Sequence, residues 1–161
     1  MKVLGIDPGL RHTGFGVVEV VNKKPYYITS GVITTLSSED LGLRLKTIAL
    51  GISQIIEQFK PNIASIEQVF VNVNPKSTLL LGQARGAAIT ACVLKDVEIA
   101  EYTALRVKQS VVGYGHAEKE QVSKMIKLLL NLEGTPQADA ADALAVALTH
   151  IQYAKIAHHT G

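Results

Sequence analysis

The chain has 161 residues, 47% of them apolar, a formal net charge of +2 and one cysteine. That size suits a single domain over residues 1–161 with a core that needs no staples, and the lone cysteine excludes both an intramolecular disulfide and a cysteine zinc cluster. No charged-then-apolar leader opens the sequence and no apolar run approaches about 18 residues, so a cytoplasmic protein is expected, neither secreted nor membrane-inserted.

Residues 2–6 read as a strand running into Asp7. Pro8-Gly9 turns the chain, and residues 13–21 form a second strand. Lys23-Lys24-Pro25 is the next turn, followed by a third strand over 26–35 with a bulge expected at Gly31. Short connections make these an antiparallel meander. The periodicity then changes. Leu45, Ile48, Ala49, Ile52, Ile55, Ile56 and Phe59 share one face at helical spacing, so residues 40–59 form an amphipathic helix. Ser37 and Asp40 offer a capping box at its start, and Pro61 ends it. Residues 62–68 are a short strand leading into Glu67, parallel to the first because a long helix carries the crossover.

Residues 69–75 form a loop in which Val69, Phe70, Val71 and Val73 look exposed. A helix over 77–94 carries Cys92 as a small core residue. A fifth strand over 97–100, a short helix over 104–112 and a flexible break at 113–116 follow. Residues 117–132 are helical, with Val122, Met125, Ile126, Leu129 and Leu130 inward. Thr135 as cap and Pro136 in the first turn start the last helix, over 137–153, with His150 near its end serving the dipole and a loose tail beyond. The sum is an α/β domain: a mixed sheet of about five strands, meander first and parallel strands after, with helices on both faces.

Four acids stand out. Asp7 and Glu67 would project from the same end of neighbouring parallel strands, where open α/β sheets place their sites. Read alone, Glu67 is equally a surface acid at a strand exit. Asp139 and Asp142 share a helix face among alanines that permit close approach to a sheet. They are either dipole partners at the helix start or ligands pressed against the sheet. Were all four to converge, repulsion would raise their pKa values unless cations neutralised them. All-oxygen ligation suits Mg²⁺ or Mn²⁺, and two such ions suit phosphodiester cleavage. Arg106, Lys108, Lys119, Lys124 and Lys127 outnumber Glu118 and Glu120 in their stretch, giving either a phosphate-facing surface or a solvated helix.

Gly5-Ile6-Asp7-Pro8-Gly9 with Thr13-Gly14, Ile66-Glu67-Gln68-Val69-Phe70, Leu81-Gly82-Gln83-Ala84-Arg85-Gly86 and Ala138-Asp139-Ala140-Ala141-Asp142-Ala143-Leu144-Ala145 occur in that order. Together these blocks resemble the RuvC family of Holliday-junction resolvases. The resemblance implies a ribonuclease-H-like fold and a homodimer acting on a four-way DNA junction. It also implies a Mg²⁺-dependent endonuclease, with two ions per site and Mn²⁺ as substitute, that nicks opposed strands symmetrically. The family's acidic tetrad falls on Asp7, Glu67, Asp139 and Asp142; some relatives carry histidine at the third position. Lys108 and Lys119 match positions near the scissile phosphate. Phe70 would stack on an unpaired base, unless it anchors its loop in the core, and Lys76 and Arg85 would touch the DNA backbone. A preference for thymine-rich sites and work with the RuvA–RuvB branch-migration complex are implied likewise. Many members carry a longer basic C-terminal extension, so no DNA contact is assigned to His158-His159-Thr160-Gly161. Actin-like ATPases share the opening hairpin but need two lobes. A junction-binding protein without catalysis would not need the acids, and a hybrid-cutting ribonuclease H would not need the Phe70 loop.

Overall fold

The computed structural model describes residues 1–70, 74–113, 115 and 117–160, with side chains followed to Lys155. Strands β1 (Lys2–Asp7), β2 (His12–Val21) and β3 (Lys24–Thr34) form the expected meander. Helix α1 (Leu41–Phe59) crosses to β4 (Ile63–Glu67), and α2 (Pro75–Leu94) crosses to β5 (Glu98–Tyr102). The five-stranded sheet runs β3-β2-β1-β4-β5, with β4 parallel to both β1 and β5. The β2–β3 turn is Asn22-Lys23, one residue earlier than expected. Both have positive φ (51° and 66°), the backbone a tight hairpin needs. The register shift lies not at Gly31 but opposite Val17 and Val18, which pair with Thr29 and Tyr27 and skip Ile28. Gly31 instead makes room for the Phe15 ring.

Three further helices, α3 (Ala104–Val112), α4 (Lys119–Leu129) and α5 (Ala138–Thr160), complete the chain. Strand alternation divides the core. Leu4, Ile6, Val17, Ala64 and Ile66 pack with Ile48, Ile52, Ala84, Ala88 and Cys92 on one face. Val3 and Val18 pack with Val107, Val122, Ile126, Leu144 and Val146 on the other. Each buried Val, Leu or Ile side chain among these contributes about 1.5–3 kcal/mol.

Helix starts differ from the expected ones because other side chains do the capping. Asp40 is itself the N-cap of α1, not the third helical residue that a box begun at Ser37 would need, and its side chain makes no capping hydrogen bond. Asn74 caps α2 by accepting from the Ser77 N–H at 3.3 Å, so the helix starts at Pro75. The Gln121 side chain accepts from the Glu118 N–H (2.9 Å), setting α4's start at Lys119; Leu129 turns outward. Gln137, not Thr135, caps α5: its Oε1 accepts from the N–H groups of Asp139 (2.8 Å) and Ala140 (3.2 Å). Helix α5 also continues past 153 to Thr160. His150 is therefore inside the helix, its Nδ1 2.8 Å from the Tyr102 hydroxyl, and burial holds its pKa below the ordinary value. The expected exposed valines Val71 and Val73, and Tyr114 and His116 of the break at 113–116, lie outside the described residues; Gly113 closes α3 at φ 101°.

Candidate active site

Asp7 and Glu67 end adjacent strands, one residue beyond the Ile6–Ile66 pair. Alternation puts them on the same side as Val3, Gly5 and Ser65, the side that α5 covers. Helix α5 approaches very closely because two strand residues have no Cβ. A Cβ at Gly5 would overlap the Ala143 carbonyl, and one at Gly14 the Asp139 carbonyl. The buried Ser65 hydroxyl donates to the Val146 carbonyl at 2.6 Å, fixing the helix along its axis. This contact brings Asp139 and Asp142 over the ends of β1 and β4. All four acids line one cavity of about 300 Å³ together with Lys108 and Lys119.

The turn after Asp7 is braced from both sides. The Thr13 hydroxyl donates to the Gly9 carbonyl (2.7 Å), and the buried Thr35 hydroxyl donates to the Leu10 carbonyl (2.5 Å). Arg44 Nε in turn donates to Thr35 Oγ1 at 2.9 Å. Asp7 therefore sits on a held backbone.

The cluster opposes its own ionisation. Burial, then Asp142, Asp139 and Glu67, push the Asp7 carboxyl from 3.8 up to about 7, with Lys119 pulling the other way. Glu67 is raised by burial and Asp142, against Lys108 and Lys119. Asp142 is raised by burial, opposed by Lys119 and pushed further by Asp139. Lys119 Nζ lies 3.6 Å from Asp142 Oδ2, yet its side chain is 84% exposed, so it is free to reach other anions. Among the described residues, no three carboxylate, imidazole or thiol groups are gathered tightly enough to enclose an ion as they stand. The donor set nevertheless fits a hard divalent cation: every candidate ligand is a carboxylate oxygen, and the raised pKa values mark charge that a cation would neutralise.

A second cavity of about 240 Å³ continues from Asp7 and Glu67 along Pro8, Gln68 and Val69 to Phe70. Phe70 is 66% exposed, which removes the core-anchor alternative. Lys76 is exposed in the first turn of α2. Arg85 turns inward: Nε donates to the Glu67 carbonyl at 3.3 Å, and Nη2 stands 3.3 Å from Glu101. Arg106, from the basic stretch, lies over the Tyr153 ring. Gly5, Gly14, Ser65 and Gln137 went unrecognised as placing residues. The available signal was strand alternation, which puts Gly5 and Asp7 on one face of β1.

A family profile described as crossover junction endodeoxyribonuclease RuvC matches residues 3–150. The chain is 59% identical over 160 residues to the crossover junction endodeoxyribonuclease RuvC of Chromobacterium violaceum, covering 99% of this chain and 88% of that protein. It is 61% identical over 150 residues to that of Herminiimonas arsenicoxydans, covering 93% and 83%. Among solved structures it is similar to Thermus thermophilus RuvC in complex with Holliday junction substrate, with a TM-score of 0.92 and 34% identity over 98% of this chain and 96% of that one.

Proposed function

The chain belongs to the RuvC family of crossover junction endodeoxyribonucleases, and from that premise we propose how its residues perform the reaction. It is an endonuclease that resolves Holliday junctions in DNA recombination and repair. The observation that carries the residue assignment is the meeting of Asp7, Glu67, Asp139 and Asp142 on one cavity wall, two from strand ends and two from a helix.

The four carboxylates are the catalytic ligands of divalent metal, Mg²⁺ with Mn²⁺ as substitute, two ions per site. Bound there, such ions would supply Lewis-acid activation of water and charge neutralisation at the leaving oxygen. The protein's own part is placement and charge. Braced by Thr13 and Thr35, the turn after Asp7 keeps its carboxylate in the cavity. Lys108 and Lys119 border the acids and meet the scissile phosphate, where a cation stabilises the charge that develops during cleavage. Phe70 offers an exposed ring to an unstacked base at the junction point, and Lys76 contacts the DNA backbone.

Symmetric nicks need two identical sites at fixed separation, which a two-fold homodimer supplies. Helix α2 supports that reading. Its buried face packs Ala84, Ala88, Ala91 and Cys92, while Leu79, Gly82, Gly86, Thr90 and Val93 form an outward stripe. Leu79 is 71% exposed, and a Cβ at Gly82 or Gly86 would meet nothing. By length and composition this helix is apolar enough to cross a membrane. We assign the stripe to a second copy, because the opposite face is already committed to the core. The protein acts in the cytoplasm on junctions presented by RuvA–RuvB.

The site assignment is tested by binding and cutting in parallel. Asp7→Asn is expected to bind a four-way junction as the parent does without cutting it, and to lose the rise in melting temperature that Mg²⁺ gives the parent. Retained cutting would refute the assignment.

A further inference from the structure

We propose that Arg85 is a positioning residue for Glu67, tying α2 to the end of β4, and is not a contact to the DNA backbone. This rests on the assignment of Glu67 to the metal-binding cluster. Its side chain is only 18% exposed and is engaged at two points. Nε donates to the Glu67 carbonyl at 3.3 Å, and Nη2 faces Glu101 Oε1 at 3.3 Å. Nη2 is fully buried and makes no hydrogen bond, so Glu101 holds it by charge alone. A phosphate would have to displace Glu101 from a side chain that solvent barely reaches.

The topology gives these contacts a purpose. Glu101 pairs with Ile66 in register, and Ile66 faces the α1/α2 layer. Glu67 is the next residue, so its carboxylate faces the opposite side, into the acid-lined cavity. Arg85 thus grips the backbone of β4 from beneath while the carboxylate works above. The carbonyl it holds belongs to the last residue of the strand, where the chain departs towards Phe70. A charge-assisted bond at that point fixes the peptide plane that follows Glu67, and with it the exit of the loop. A rigid fork suits a carbonyl and a carboxylate held together; a lysine offers one point charge.

The test compares Arg85→Gln, Arg85→Lys and Glu101→Gln on a synthetic four-way junction. Junction affinity and its salt slope are measured without divalent metal, and kcat and the half-saturating Mg²⁺ concentration are measured with it. Arg85→Gln is expected to leave affinity and salt slope unchanged, to lower kcat and to raise the Mg²⁺ requirement, each by about tenfold or more. Arg85→Lys should recover part of both. Glu101→Gln should raise the Mg²⁺ requirement in the same direction. Because it removes a negative charge, that change cannot be a lost phosphate contact, and it decides the matter if Arg85→Gln fails to fold. The proposal is overturned if Arg85→Gln weakens binding and lowers the salt slope by about one while the Mg²⁺ requirement stays put, or if Glu101→Gln behaves as the parent. Cutting by the parent that ignores Mg²⁺ would instead overturn the active-site reading itself.

Discussion

At Asp7, burial and three neighbouring carboxylates act in one direction, and a single exposed lysine opposes them. The consequence is a trade between fold and function that pH exposes. With a folded pKa of about 7 against an ordinary 3.8, the group's contribution to stability is complete below about pH 4 and is lost as pH rises through about 7. Asp7→Asn avoids that loss. In chelator, the variant should be more stable than the parent by about 2 kcal/mol at pH 8 and equal to it below about pH 4; with Mg²⁺ present, its cutting should fall by at least about a thousandfold. Thermal melts at the two pH values check the sign. Lys119 tests the same balance from the other side. Removing its charge raises Asp7, Glu67 and Asp142 further, so Lys119→Ala should move the acid limb of the pH–rate profile to higher pH and lower kcat by about a hundredfold. An unmoved limb would separate Lys119 from the cluster.

Among the elements, α5 carries two of the four acids, and its seat on β1 and β2 decides where they stand. Gly5→Ala would drive a methyl into the Ala143 carbonyl. Backbone cannot swing aside as a side chain does, so the helix must lift. The variant should lose about 2 kcal/mol of stability and at least about tenfold in kcat, because an active site tolerates little displacement. Ser65→Ala, which removes one buried hydrogen bond and adds no bulk, should cost about 1 kcal/mol with a smaller effect on rate. Denaturant melts beside rate measurements rank the two. The elements themselves were largely legible: β-branched runs, the helical spacing from Ile48 to Phe59 and the Pro-Gly turn each follow local rules. Helix starts were less so. Gln137 caps α5 through a side chain that propensity does not favour at a cap, and Asn74 acts from within what reads as loop. Gly31 looked like a bulge because a glycine in a strand has two uses, and only the neighbouring Phe15 ring tells them apart.

For the whole molecule, periodicity places the acids on two strand ends and one helix face, and the family resemblance is what joins them as a set. The inward turn of Arg85 was not, since it depends on Glu101 from a strand brought alongside only by folding. The outward stripe of α2 sets the expected assembly. Leu79→Glu would place a charge on the apolar stripe assigned to the second copy, so it should yield monomers in sedimentation at working concentration. Paired cutting should fall by at least about tenfold, with no loss of helix content. A dimer that survives the change would remove α2 from the interface. Together, the four carboxylates of this RuvC-type domain are proposed to cut a four-way junction with metal. The most direct measurement incubates the protein with a synthetic four-way junction and with linear duplex of the same sequence, each with and without Mg²⁺, and maps the cut strands. Paired, symmetric nicks on the junction alone and only with metal are the expected result; cutting that persists in chelator, or that treats the duplex and the junction alike, would contradict it.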